Sequence, residues 1–306
     1  MKYITTLASG TFVAFLGAAV CAHAQNLNGT LNSGFYGSAL AVQTVNTGFG
    51  NAAGGNDSAG GSELDAGYGK ISGGTLYLFL AGNVENNGNH LNVFIDGGAV
   101  GENTLNTSGG SMGAMNGSVF SPSFQATYAF DMNDYMGTLY NEEYNLVGGS
   151  QVSGGYIGSL AESSTGIAAG GFGGSALLYL NNNNASTMGA AGAALSGATS
   201  GVNTTTGLEM AIPLSAIGYT GGNIMVLADI NGGGDSYLAN QFLPGLAVGT
   251  GNVGGGGPYT GPNSGTFNFA NTPGEYFTIS TVPEPSSMVM FGLSGLTALL
   301  AVRRRK

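Results

Sequence analysis

Clusters of Gly and Asn cut this chain into short apolar runs, and that punctuation limits it to short strands joined by turns. From Gln25 onward the strand candidates are Ser38–Val45, Thr75–Leu80, His90–Asp96, Phe124–Phe130, Thr138–Val147 and Ala176–Leu180. Leu208–Ile212, Ile224–Ile230, Tyr237–Phe242 and Tyr276–Ser280 complete the set. In His90–Asp96, alternation sends Leu91, Val93 and Ile95 to one face and Asn92 and Phe94 to the other. Ile224-Met225-Val226-Leu227-Ala228 is continuously apolar, the pattern of a strand covered on both faces. Ten such strands predict an all-β fold, an antiparallel β-sandwich with long Gly/Asn-rich loops. The long loops are Thr187–Thr206 and Gly245–Asn263. Pro213-Leu214-Ser215-Ala216-Ile217 reads as one short helical turn with Pro at its start.

Composition excludes the other classes such a chain suggests. Gly supplies 58 of 306 residues and charged residues only 7%. Disorder needs low hydrophobicity with high net charge, and 42% hydrophobic residues with 15 Phe and 14 Tyr contradict it. Gly shows no triplet period, so a collagen rod is excluded. Between Gln25 and Val282 stand one Lys, no Arg and fifteen Asp or Glu, a net of −14. Nucleic-acid binding depends on Lys and Arg neutralising phosphates, so DNA and RNA are excluded as partners.

Both ends read as addresses. Lys2, an apolar stretch through Val20 and the Ala22-His23-Ala24 step form a secretory signal peptide over 1–24, cleaved before Gln25. Cleavage removes the single cysteine, Cys21. At the other end Val282-Pro283-Glu284-Pro285 precedes the apolar stretch Met288–Val302, and Arg303, Arg304, Arg305 and Lys306 close the chain. Fifteen residues at 1.5 Å each make about 22 Å, marginal for a bilayer core of about 30 Å unless Ser286, Ser287 and snorkelling Arg side chains extend it. The basic end stays cytoplasmic, which places Pro283 and everything before it outside.

Pro-Glu-Pro, an apolar helix and an Arg cluster, in that order, resemble the PEP-CTERM sorting signal. The resemblance implies three segments: signal peptide 1–24, ectodomain 25–281 and sorting signal 282–306. It also implies a membrane-embedded exosortase that processes the chain near Pro283-Glu284-Pro285. A second resemblance runs through Ser38–Gln43, Glu63-Leu64-Asp65-Ala66-Gly67-Tyr68, Leu76–Asn83, Leu91–Asp96, Glu209–Leu214 and Tyr237–Phe242. Their order is similar to that in ectodomains found upstream of PEP-CTERM tails. It also looks like the sandwiches of the DOMON and family-9 carbohydrate-binding group.

Candidate chemistry is sparse. The ectodomain has no Cys and one His, His90, at a strand start beside an Asn-rich turn, and this reads as a surface-turn histidine. A closed zinc site would need carboxylates for every other protein ligand. Some DOMON domains hold haem through His or Met, but nothing marks Met225 as anything other than core. Glu142 and Glu143 are adjacent on a strand and point to opposite faces, whereas Glu63 and Asp65 would share one. The best ion candidate is calcium in Asp229-Ile230-Asn231-Gly232-Gly233-Gly234-Asp235, through Asp229, Asn231 and Asp235. Asp131-Met132-Asn133-Asp134 is a weaker one. The same Asn-Gly pattern also makes a plain hairpin turn. Tyr68, Tyr156 and Tyr237 lie near loops and could stack on sugar, although the chain has no Trp.

These features lead to an exported cell-surface or extracellular-matrix protein, non-enzymatic and associated with exopolysaccharide. Its expected partners are exosortase, the secretion machinery and the exopolysaccharide itself. The alternatives are a carbohydrate-binding module, with or without calcium, and a glycan-active enzyme.

Overall fold

The alternation read from the sequence builds two antiparallel sheets. The computed structural model describes residues 25–45, 47–49, 61–161, 167–172, 176–181, 204–254 and 266–281. The strands are β1 (Ala41–Val42), β2 (Glu63–Ser72), β3 (Thr75–Asn83), β4 (Asn87–Asp96), β5 (Tyr128–Tyr135), β6 (Thr138–Asn145) and β7 (Ser153–Ala161). They continue with β8 (Ile167–Phe172), β9 (Ala176–Asn181), β10 (Gly207–Pro213), β11 (Ile224–Asn231), β12 (Leu238–Leu243) and β13 (Phe277–Ile279). The smaller sheet runs β1-β2-β3-β10-β9-β8. The larger runs β12-β11-β4-β5-β6-β7, with β13 also pairing β11.

The sheets meet face to face over one apolar core. Leu64, Leu76, Leu78, Leu80, Met210 and Ile212 of the smaller sheet pack with Leu91, Val93, Ile95, Phe130, Met132 and Val226 of the larger. As the alternation predicts, Asn92 and Phe94 leave this core for the outer face. The continuous run of β11 is covered twice, with Val226 in the inner core and Leu227 in an outer one.

Both outer faces are also covered. Over the smaller sheet, Leu27, Leu31, Phe35 and Tyr36 pack on Tyr68, Tyr77 and Phe79. Phe35 and Tyr36 sit in the one-turn helix Ser33–Tyr36, whose Asn32 cap accepts from the Phe35 N–H. Over the larger sheet, Phe120 and Phe124 from the β4–β5 connection and Phe267 and Phe269 from the C-terminal segment cluster on Phe94, Leu227 and Phe242. The Phe120 and Phe269 rings stack at 5.2 Å.

Several strand bounds differ from the sequence reading, for local reasons. Ser38–Val45 contributes only Ala41–Val42, because the Thr44 and Val45 N–H groups donate to the Gln43 side chain instead of a neighbouring strand. Phe124–Phe130 begins pairing in β5 only at Tyr128, because Asp96 Oδ2 captures the Gln125 N–H. Strands β2, β7 and β8 were absent from the expected set. Pro213–Ile217 forms a hydrogen-bonded turn, with Ala216 N–H donating to Pro213 C=O. Most of the long loop Thr187–Thr206 and the second half of Gly245–Asn263 lie outside the described residues.

Candidate functional site

Register, which the sequence does not give, lines up polar residues across four strands of the larger sheet. Asn92 on β4 stands opposite Asp229 on β11 and, on its other side, opposite Asp131 on β5. Asp131 in turn stands opposite Glu142 on β6. Directly opposed residues have Cβ atoms about 4.5–5.5 Å apart, so Asp229, Asn92, Asp131 and Glu142 form one transverse row. His90 lies two residues before Asn92 and hence on the same face. The β11–β12 turn brings Asp235 over this row.

His90 is the centre of the group and overturns its reading as a surface-turn residue. It is 3% exposed, because β4 extends past it to Asn87 and the β11–β12 turn covers it. Its Nδ1 lies 2.9 and 3.1 Å from the two Asp131 oxygens and 3.5 Å from Asp235 Oδ2. Its Nε2 accepts a long contact, 3.4 Å, from the Gly234 N–H. Asn92 Nδ2 donates to Asp235 Oδ1 at 3.2 Å and to Asp131 Oδ1 at 3.4 Å. Asp235 takes up this position with φ of +51°, a left-handed conformation that Asp tolerates better than most residues.

The electrostatics of the row are unbalanced. Asp131, Asp229 and Asp235 are all buried, and Glu142 nearly so. Burial pushes all three aspartates well above the usual carboxylate range, and neighbouring carboxylates push them further. His90 and the Asn92 amide pull Asp235 partly back. Glu142 has outside help: both its oxygens accept from the Ser111 N–H, and Oε2 accepts from the Tyr144 hydroxyl. Gly110 at φ +65° permits this, since a Cβ there would fall on the Glu142 carboxylate. Asp229 has no such help, and among the described residues neither oxygen has a hydrogen-bond partner. Lys70 is the only Lys or Arg between 25 and 282, and it sits on the other sheet, 4.5 Å above the Phe35 ring.

The other candidates are dispersed. Asn231 Oδ1 accepts from the Gly232 and Tyr237 N–H groups and so braces the hairpin. Asp134 is buried and, by alternation from Asp131, belongs to the opposite face. Glu143 likewise turns inward toward Tyr128, whose hydroxyl it helps to keep protonated. Asp65 is the extra residue of a bulge between Leu64 and Ala66, and Glu63 precedes it on the same strand. Burial, then Asp65, pushes Glu63 up to about 9. Burial pushes Asp65 up to about 7 against a hydrogen bond from Thr204. Tyr68 is buried and cannot form a sugar platform, whereas Tyr237 is partly exposed and stacks on Phe49. Tyr156 is 60% exposed and lies 6.5 Å from Tyr140. Met225 packs at the edge of the outer core. Gln25 opens the described chain, and its side chain donates to Glu209.

The class defined by this architecture is an all-β protein of two antiparallel sheets, carrying a buried acidic row on one outer face. Its route is given by the C-terminus: residues 281–306 match the PEP-CTERM protein-sorting motif. The chain therefore carries the signal of an exosortase substrate, a membrane-anchored precursor sorted to the envelope or exterior. No curated protein and no solved structure matches the chain. Val282, Pro283, Glu284, Pro285, Arg303, Arg304 and Arg305, like Ala22 and Ala24 of the expected signal peptide, lie outside the described residues. So do the apolar stretches expected to form the leader and the membrane helix.

Proposed function

We propose that this chain delivers an acidic β-sandwich to the cell surface, where it persists as a non-enzymatic component of the envelope or of the exopolysaccharide around it. The observation that carries this reading is the position of the sorting motif. Strand β13 ends at Ile279 and the motif begins at 281, so the whole sandwich lies on one side of the processing signal. Processing near Pro283-Glu284-Pro285 would detach the membrane segment and leave every strand intact. The net of −14 over residues 25–282 suits a domain that must stay soluble among hydrated polymers. The test is the mass of the protein isolated from its host envelope. A chain running from Gln25 to near Pro283 supports the reading, and a chain retaining Arg303–Lys306 refutes processing.

A carbohydrate-binding role is the second reading, and one feature favours it. Tyr140 and Tyr156 are both exposed on the acidic face of the larger sheet, at an interplanar angle of 43°. Adjacent aromatic faces with carboxylates beside them are what a sugar ring stacks upon. Retention on purified host polysaccharide distinguishes the readings. A binder loses about tenfold in affinity on Tyr140→Ala/Tyr156→Ala substitution, and a passive component shows no retention to lose.

A further inference from the structure

We propose that His90, Asp131 and Asp235 form a divalent transition-metal site of the Zn²⁺ class, which fastens the β11–β12 turn to the centre of the larger sheet. The three buried residues each offer one ligand atom, and these atoms all lie within 4.8 Å of one another. Around a tetrahedral ion with bonds of about 2.1 Å, ligand atoms stand about 3.4 Å apart, and His90 Nδ1 already stands 2.9 Å from Asp131 Oδ1 and 3.5 Å from Asp235 Oδ2. More than proximity points to a cation. Among the described residues, both oxygens of Asp229 and the carbonyl oxygen of Asn92 beside it are buried with no hydrogen-bond partner, and Asp235 Oδ2 has only the 3.5 Å approach of His90 Nδ1. These are electron-pair donors on one face, in a part of the chain whose single Lys lies on the other sheet.

The donor set selects the ion. Calcium and magnesium take oxygen ligands, whereas an imidazole joined by carboxylates suits zinc and its neighbours. Between Gln25 and Val282, one His and no Cys leave carboxylates as the only further side-chain ligands a zinc site would have, and the fold gathers them. Two further carboxyls adjoin the three: Asp229 stands opposite Asn92, and Glu142 stands opposite Asp131. Coordination through Nδ1 requires that this atom carry no proton. Nε2 then carries the ring proton and gives up its long contact with Gly234. Because Asp235 rides on a turn and Asp131 on a central strand, an ion held by both is a crosslink, and its binding adds directly to stability. The proposal is independent of the sorting route.

The experiment uses the full chain in mild detergent, stripped with chelator and titrated separately with Zn²⁺, Co²⁺ and Ca²⁺. Calorimetry and thermal unfolding are the readouts. We expect one equivalent of Zn²⁺, a raised melting temperature, and the visible absorption of four-coordinate Co²⁺. His90→Gln should weaken Zn²⁺ binding by about 100-fold or more and abolish the thermal shift, while Glu63→Gln should leave both unchanged. If His90→Gln does not fold, Asp235→Asn is the second variant, and the Co²⁺ spectrum of the unaltered chain decides by itself. Absence of Zn²⁺ and Co²⁺ binding overturns the proposal. So does undiminished binding by His90→Gln, or binding of Ca²⁺ that Zn²⁺ does not displace.

Discussion

The two outer faces of the sandwich solve the same problem in opposite ways. Each buries a carboxylate beneath a covering segment. On the smaller sheet Glu209 is fully buried, but it accepts hydrogen bonds from the Gln25 amide, the Asn28 and Gly29 N–H groups and the Tyr36 hydroxyl. The covering segment supplies those donors, so the carboxylate anchors the segment to β10. On the larger sheet the cover brings Phe120, Phe124 and Phe269 over the outer core and the Ser111 N–H to Glu142, but no described residue donates to Asp229. A buried charge with a full set of donors is structural, and one without them is costly unless something else supplies a partner. That difference separates Glu209 from the His90–Asp131–Asp235 group, although burial alone would rank them together.

The largest expected effect tests whether the aromatic cover is a true second core. Phe94→Ala should cost about 4 kcal/mol, read as a lower urea midpoint with unchanged slope. A loss under 1 kcal/mol would mean that the outer layer is only loosely applied. Glu209→Ala removes one acceptor and strands several buried donors, and should cost about 3 kcal/mol. It should also expose the 25–36 segment to proteolysis, which Phe94→Ala should not.

The Glu63–Asp65 pair adds a pH dependence. Glu63 is raised to about 9 and Asp65 to about 7, so the folded chain holds protons there that the unfolded chain has released. Stability from this pair is therefore full below about pH 4 and declines as pH rises through 9. Glu63→Gln should flatten that decline by about 2.5 kcal/mol between pH 5 and 7, measured by thermal melts across the range. A slope identical to that of the unaltered chain would remove Glu63 as its source. The smallest effect is the sharpest contrast with Glu209. With metal removed, Asp229→Asn should stabilise the chain by about 1 kcal/mol at neutral pH, because it removes the cost of holding an unpartnered buried carboxyl protonated where the unfolded chain ionises it. Destabilisation would show that Asp229 has a partner in solution and would erase the distinction between the two faces.

How much of this was legible depended on where the signal lay. Strands β3, β4, β6, β9, β10, β11 and β12 were readable because apolar residues alternate or run continuously in them. β7 was not, since Ser153–Ala161 contains three Gly and few apolar side chains and is held by pairing with β6. β2 was missed as a strand because Glu63, Asp65 and Lys70 look like loop residues. Burial of the two acids beside a bulge is a tertiary outcome. For the site, His90 and Asn92 were readable as neighbours on one face. Asp229 and Asp235 were readable as oxygen donors around a Gly turn. Asp131 stands 41 residues beyond His90, and only the β4–β5 register joins them.

Local pattern set the two sheets' worth of short strands, the acidic character of the chain and the sorting signal at its end. All three follow from residue type and local order. Tertiary structure alone decided that the outer faces are covered, that Glu209 is satisfied while Asp229 is not, and that His90 is buried among aspartates. Those outcomes depend on strand register and on which loop lies over which face. Both are set by packing between residues far apart in the chain, where local pattern carries no information.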